Sequence, residues 1–279
     1  MLIVGCGRWG SIFTNNLEIN HVVLGTDSEI NLLEYSSYRT SSIIVEFDKF
    51  IDCAITEIHK HDSAILVLPP TVRVELLSKL GPYYGKIYIE KPAATTIRDL
   101  DKLSKLELDI NIMFKYRSTS IFKTILDNFA PSRESYMSLC RPKFRPGINN
   151  WRVWQSPVIE ELIHFVDFAE QLHKSNLNSI SLTRPSRNIR LDLLFENQTS
   201  SVIDFAFWAE EKTQKKIIVD NSIFGSWEFS NGLRNQSLTA DGSNIEILSK
   251  DKTIFASCLE NCCKLSSTLS LHRKVLEIL

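Results

Sequence analysis

The chain opens on an apolar run that stops at glycine: Met1, Leu2, Ile3 and Val4 lead into Gly5-Cys6-Gly7-Arg8-Trp9-Gly10. An apolar run of this kind reads as a buried strand, and the next stretch, "RWGSIFTNNLEI", has helical periodicity. A strand and a helix joined through glycines at this spacing can form one particular turn. Gly5 permits the tight bend, Gly7 lets the backbone approach a bound pyrophosphate, and Gly10 lets the helix pack close on the strand. Phosphates would then sit over free N–H groups at the helix start, beside Arg8 and Trp9. Taken alone, the turn has a second reading as a tight strand–helix connection that binds nothing.

Asp27 closes the next strand-like run, "HVVLGTD", 17 residues after Gly10. An acid there can accept hydrogen bonds from both ribose hydroxyls of an adenosine and would repel a 2′-phosphate. No arginine follows directly to offset that repulsion, so NAD is expected in preference to NADP. The other reading of Asp27 is a helix cap.

The alternation continues. "DSAILVLPP" is an apolar run stopped by prolines, "TVRVELLSKLG" a helix closed by Gly81, "KIYIEKP" a strand, "TIRDLDKLSKL" a helix and "DINIMF" a strand. Apolar strands separated by helices predict a parallel sheet covered on both faces, an α/β Rossmann domain over residues 1–114. Beyond Phe114 the pattern changes. "STSIFKTILDNF" reads as a helix, "ESYMSLCRPKF" as a strand and "PVIEELIHFVDFAEQLH" as a long helix. Period-two runs follow from Leu177 to about Phe255. They predict an α+β domain over residues 115–279 with a mostly antiparallel sheet, one face of it open. The segment "SCLENCCKLSSTLSLHRKVLEIL" reads as a closing helix, free to pack back on the first domain. The cleft between the domains is the expected site.

Charge excludes some classes. Lys and Arg total 32 against 33 Asp and Glu, so nothing draws the chain to nucleic acid or an anionic membrane. No apolar run approaches the roughly 20 residues needed to span a bilayer, and the N-terminus lacks the form of a signal peptide. A cytoplasmic protein is expected. The cysteines of "CLENCC" have no partners at zinc spacing and read as packing residues, and "HKH" at 59–61 reads as a solvated face, so no metal is expected.

The stretch from Leu68-Pro69-Pro70 to Glu90-Lys91-Pro92 resembles the Gfo/Idh/MocA family of NAD(P)-dependent oxidoreductases. In that family a strand ends in a proline-bearing turn over the cofactor, a helix follows, and the next strand ends in Glu-Lys-Pro. "IMFKYRSTSIFKTI", with Arg117, is similar to the family's aromatic-Arg stretch, and "WRVWQSPVIEELIHFVDFAEQL" to its Trp-Arg segment and catalytic helix. There are departures. Thr71-Val72-Arg73 stands where the family often has Asn or His, Glu160 where Asp is commoner, and "QSPVIEE" replaces a glycine-rich approach to the helix.

The resemblance implies hydride transfer to or from a sugar, polyol or nucleotide-sugar carbon. The cofactor contacts would be Gly5, Gly7, Arg8, Trp9, Gly10, Asp27, Leu68, Pro69, Pro70, Glu90, Lys91 and Pro92. Removing a hydride from an alcohol carbon requires the hydroxyl proton to leave as well, and a nearby ammonium stabilises the alkoxide that develops. Lys91 is the expected ammonium, with Pro92 fixing the backbone, through a cis bond as the family implies. His164 is the expected proton partner. Glu160, one helical turn earlier, would fix its tautomer, and Asp167 shares that helix face. Lys91, Arg117, Trp151, Arg152 and His164 are the expected substrate contacts. A homodimer or homotetramer is implied, formed through the open sheet face. Two other classes stay open: a dinucleotide-dependent sensor or regulator of the same fold without turnover, and an imine or bilin-type reductase.

Overall fold

Leu2, Ile3 and Val4 are fully buried because they form an interior strand of a seven-stranded sheet. In chain order the strands of this sheet are β1 (Leu2–Val4), β2 (His21–Thr26), β3 (Thr40–Val45), β4 (Ser63–Leu66), β5 (Lys86–Glu90), β6 (Asp109–Met113) and β15 (Cys263–Lys264). The spatial order is β15-β6-β5-β4-β1-β2-β3. Every neighbouring pair is parallel except β15 with β6. The helices α1 (Arg8–Asn16), α2 (Phe50–Ile58), α3 (Pro70–Lys79) and α4 (Ile97–Ser104) supply the crossovers. The chain leaves β1 toward β2 and β3, then returns to β4 on β1's other side. The sheet therefore reverses direction of growth between β1 and β4, the place where open α/β sheets bind ligands.

This computed structural model describes residues 1–17, 20–26, 40–128, 134–140, 157–183, 188–206, 214–219, 222–228, 235–240, 243–247 and 258–278. The chain divides into two units: Met1–Lys115 with Lys252–Arg273, and Tyr116–Asp251 with Lys274–Leu279. In the first unit Ile3, Cys6, Phe13, Leu17, Val23, Ile65 and Met113 form a contiguous core between the sheet and α1.

Sheet two has eight strands. In chain order they are β7 (Glu134–Cys140), β8 (Leu177–Thr183), β9 (Asn188–Phe195), β10 (Ser200–Ala206), β11 (Gln214–Val219), β12 (Ser222–Glu228), β13 (Asn235–Ala240) and β14 (Ser243–Ile247). They lie in the order β14-β13-β12-β11-β7-β10-β9-β8, all antiparallel except β10 with β7. Alternation along β9 buries Ile189, Leu191, Leu193 and Phe195 and leaves Arg190 exposed. That apolar face meets α6 (Pro157–His173), while α5 (Ser120–Asn128) packs on α6 through Phe122 and Phe168, whose ring centroids are 4.6 Å apart. At the end of α6, His173 lies on the Phe195 ring and its Nε2 meets the hydroxyls of Ser135 at 3.0 Å and Ser201 at 2.8 Å. Ser135 and Ser201 are register partners, so this buried contact ties the helix to the one parallel strand pair. The architecture is a Rossmann-type α/β sheet followed by an α+β part with a mostly antiparallel sheet.

Some elements differ from expectation. The closing segment is not one helix: Cys263–Lys264 pairs with β6 as a short strand, and helix α7 begins only at Leu265 and runs to Glu277. A free sheet edge beside β6 attracts this backbone, and the pairing breaks the helical run. Strand β3 and helix α2 carry weak signals. The Ser- and Thr-rich β3 is an exposed edge strand, and α2 mixes its buried Phe50, Ala54 and Ile58 with β-branched and polar residues. No helix of the described residues is long and apolar enough to cross a membrane.

Candidate functional site

All four signature segments of the first unit leave strands in the same direction. The glycine turn follows β1, Leu68-Pro69-Pro70 follows β4, Lys91-Pro92 follows β5 and Phe114 follows β6. Because these strands are parallel neighbours, the segments share the sheet's carboxyl edge at the switch point. The strand ends are bonded to one another: Val67 N–H donates to the Val4 carbonyl of β1 at 2.8 Å, and Gly5 N–H to the Leu24 carbonyl of β2 at 2.8 Å.

Gly5 has φ +100°, a conformation L side chains rarely adopt, and a Cβ there would lie 2.6 Å from the Val67 carbonyl oxygen. A Cβ on Gly10 would lie 2.0 Å from the Gly5 carbonyl oxygen. The first and last glycines of the motif thus press the start of α1 against the turn. Gly7 caps α1 without a side-chain hydrogen bond, and no acid stands in the first turn, so the helix start suits an anion. These features fit a pyrophosphate. Cys6, fully buried, points the other way into the core. Gly10→Ala is expected to destabilise the protein by about 1–3 kcal/mol through this overlap and to remove dinucleotide binding. A denaturant titration beside an NADH titration checks both, and wild-type values in either would count against the close-packed turn.

Pro69 caps α3 and Pro70 occupies its first turn, a position where a missing N–H is harmless. Glu90 and Lys91 are half-buried at the end of β5, and the Lys91–Pro92 bond is cis. Arg73, on the first turns of α3, is only 1% exposed. Its guanidinium donates to the carbonyls of Pro92 and of Ala93, the latter at 3.1 Å. Burial lowers its pKa to about 10, with the Glu90 carboxylate acting the other way.

His272 of α7 is completely buried, with its Nδ1 2.9 Å from the Thr268 carbonyl and its ring 6.1 Å from Phe114. Burial first, and the Arg73 guanidinium as well, push its pKa down to about 4, against the raising effect of the Thr268 contact. Between the ordinary value of 6.5 and about 4, the unfolded chain takes up a proton that the folded chain refuses. Stability is therefore untouched by this group above that range and falls as pH drops through it, by about 3 kcal/mol in all. In His272→Asn that part of the acid loss should vanish. Denaturant midpoints at about pH 7 and about pH 4.5 for both proteins test this; equal losses would refute it.

In the second unit, His164 is 1% exposed and packs edge-on against Tyr116, with ring centroids 4.5 Å apart. Arg117 and Asp167 form a two-pronged ion pair: Nε donates to Oδ2 at 3.0 Å and the terminal nitrogen donates to Oδ1. The Asp167 side chain is 2% exposed and that of Arg117 18%. Burial raises the Asp167 pKa and the guanidinium opposes it. Glu170 is also raised by burial, partly offset by the Leu177 N–H it accepts at 2.8 Å.

The side chains of Arg8, Trp9 and Glu160, and all of Asp27, Trp151 and Arg152, lie outside the described residues. Among the described residues Cys6, Cys53, Cys258, Cys262 and Cys263 form no disulfide, and no His, Cys, Asp and Glu group is placed to hold a metal. His59 is held by the Leu80 carbonyl at 3.0 Å and the edge of Tyr83. Arg73 is the polar residue that sequence reasoning passed over. Its only signal was its place in the proline-turn segment where the family carries another polar residue.

No family model and no curated sequence matches the chain. Solved structures do match it over nearly its whole length. It is similar to the UDP-N-acetylglucosamine 3-dehydrogenase of Acidithiobacillus ferrooxidans, with 13% identity, TM-score 0.71, and 99% of this chain and 95% of that one covered. It is similar to the WlbA dehydrogenase of Thermus thermophilus, solved with NAD and UDP-GlcNAcA, with 12% identity, TM-score 0.70, and 99% and 93% covered. A dehydrogenase (MviM) of Clostridium difficile gives 16% identity, TM-score 0.69, and 99% and 97% covered. These neighbours are dehydrogenases of the Gfo/Idh/MocA type, and the chain has their two-part fold.

Proposed function

We propose that the protein is a nicotinamide-dinucleotide-dependent oxidoreductase that interconverts an alcohol and a ketone on a sugar-like substrate, a polyol or a nucleotide-linked sugar. The observation that carries this is the shared carboxyl edge of the first sheet. There the glycine turn, the proline turn and Lys91 end neighbouring parallel strands. The same fold in neighbours solved with NAD supports the cofactor class.

When bound, the dinucleotide supplies or accepts the hydride. The chain's own residues do the rest. Gly5, Gly7 and Gly10 let the backbone reach the pyrophosphate, and Asp27 would accept from the ribose and favour NAD. Leu68, Pro69, Pro70, Glu90 and Pro92 line the same strand ends. Lys91 places an ammonium where a substrate oxygen gains or loses its proton. His164 is assigned as the second proton partner, with Glu160 as its orienter and Trp151 and Arg152 as substrate contacts. Arg117, whose guanidinium also pairs with Asp167, is assigned as a further substrate contact. A second copy of the chain is assigned to the open sheet face.

A sensor without turnover is the second reading, favoured by one observation: the His164 imidazole is buried against Tyr116. Titration of the purified protein with NADH and with NADPH, read by protein fluorescence, tests what both readings share. Saturable binding with NADH tighter than NADPH is expected. Absence of binding for both would remove the cofactor assignment.

A further inference from the structure

We propose that Arg73 is a positioning residue that sets Lys91 at the strand end by gripping the two carbonyls that follow it in the chain. The proposal rests on the reading of Lys91 as a residue of the dinucleotide site.

Arginine is almost never fully buried without a purpose-built set of partners. Here the side chain is 1% exposed, and the partners of its guanidinium are both backbone carbonyls, those of Pro92 and Ala93. Carbonyl groups can be held in this way by any donor. A guanidinium adds two things. Its rigid planar end fixes the direction of the N–H groups of one terminal nitrogen, Nη2, which donates to both carbonyls, and its charge makes each hydrogen bond stronger than a neutral one. The grip falls on the carbonyls of the first two residues after Lys91. It comes from α3, whose own start is fixed by the proline turn through the bond from Arg73 N–H to the Pro69 carbonyl at 2.9 Å. One residue thereby ties the proline turn after β4 to the Glu-Lys-Pro turn after β5. Glu90, on the other side of Lys91, is the carboxylate whose field reaches the guanidinium. Lys91 is therefore flanked by residues that answer to Arg73 on both sides. Thr96, next along the chain, caps α4 by accepting from the Asp99 N–H at 3.1 Å, so the segment is anchored at its far end as well. The free course of the backbone between β5 and α4 is short, and Arg73 holds its beginning.

The test needs no substrate. Full-length protein is treated with a trace amine-labelling reagent, with and without NADH, and labelling at each lysine is read by mass spectrometry. Lys49 and Lys60, which are 69% and 59% exposed and lie elsewhere in the first unit, serve as internal standards. In the wild type, NADH is expected to protect Lys91 and neither standard. In Arg73→Met, NADH still binds by fluorescence, but its protection of Lys91 falls by roughly tenfold, the scale set by losing charge-assisted hydrogen bonds. Arg73→Lys gives an intermediate value, since the ammonium keeps the charge while its flexible stem loses the rigid placement of Nη2 against the two carbonyls. Should Arg73→Met fail to fold, Arg73→Lys carries the same readout.

Protection of Lys91 equal to wild type in the variant that folds overturns the proposal and leaves the dinucleotide reading standing. Altered labelling at the standards together with Lys91 also overturns it, since that is what a general loss of structure would do. Absence of NADH protection at Lys91 in the wild type overturns the reading of Lys91 itself, and the proposal with it.

Discussion

Lys91→Ala is expected to lower turnover by about 10²- to 10⁴-fold, with the dissociation constant for NADH changed by no more than a few-fold. The asymmetry follows from where the group stands. The pyrophosphate is assigned to the glycine turn after β1 and the adenosine to Asp27, and neither contact passes through Lys91. In the proposed reaction the ammonium is needed where negative charge develops on the substrate oxygen as the hydride moves. An interaction made mainly in the transition state shows in kcat and in kcat/KM together and leaves ground-state binding nearly alone. Steady-state kinetics beside a fluorescence titration read both quantities. Turnover within about twofold of wild type would reduce Lys91 to an ordinary strand-end lysine, since proton-transfer catalysis by a placed side chain is worth far more than that.

Arg117→Met should lower the unfolding free energy by about 3–5 kcal/mol near neutral pH. Asp167 lies in a helix whose residues from Leu162 to Ala169 are all buried, and its carboxylate is 2% exposed. With the guanidinium gone, the effect that opposes the burial raising the carboxyl pKa is lost. The group must then stay charged without its partner or take up a proton, and either lowers stability at neutral pH. Adding Asp167→Leu to Arg117→Met should restore much of the loss, because an apolar group of similar size has no charge to desolvate. Urea titrations of the single and double variants check this, and a single-variant loss below about 1 kcal/mol would place the pair among the weak surface bridges.

The parts of the fold legible in the sequence are those whose requirement is local. The glycine turn is one: Gly5 needs a positive φ and Gly10 a missing Cβ, and both are stated by residue type alone. The proline turn and Glu-Lys-Pro are likewise written in neighbouring residues. Most strands and helices through Met113 followed from apolar runs and their length, but β3 and α2, whose signals are weak, did not. What was not legible depends on partners distant in sequence. Arg117 and Asp167 lie 50 residues apart, and no periodicity in either segment announces their pairing. Arg73 looked like a polar residue on a mostly apolar helix until the carbonyls of Pro92 and Ala93 came to it. Cys263 and Lys264 read as helix because the flanking residues do, and only the edge of β6 makes them a strand. His164 shows the same limit in reverse. Its spacing from Glu160 was readable, whereas its burial against Tyr116 was not.

The proposed reaction is tested most directly by the fate of the hydride. NADH carrying deuterium at the transferring carbon is incubated with the purified protein and a panel of keto-sugar nucleotides and keto-polyols. The sugar products are then read by mass spectrometry. An oxidoreductase of the kind proposed delivers one deuterium to a sugar carbon of at least one member, and delivery drops sharply in Lys91→Ala. Tight NADH binding with no deuterium in any product would instead mark the protein as a dinucleotide sensor that keeps the fold without the chemistry.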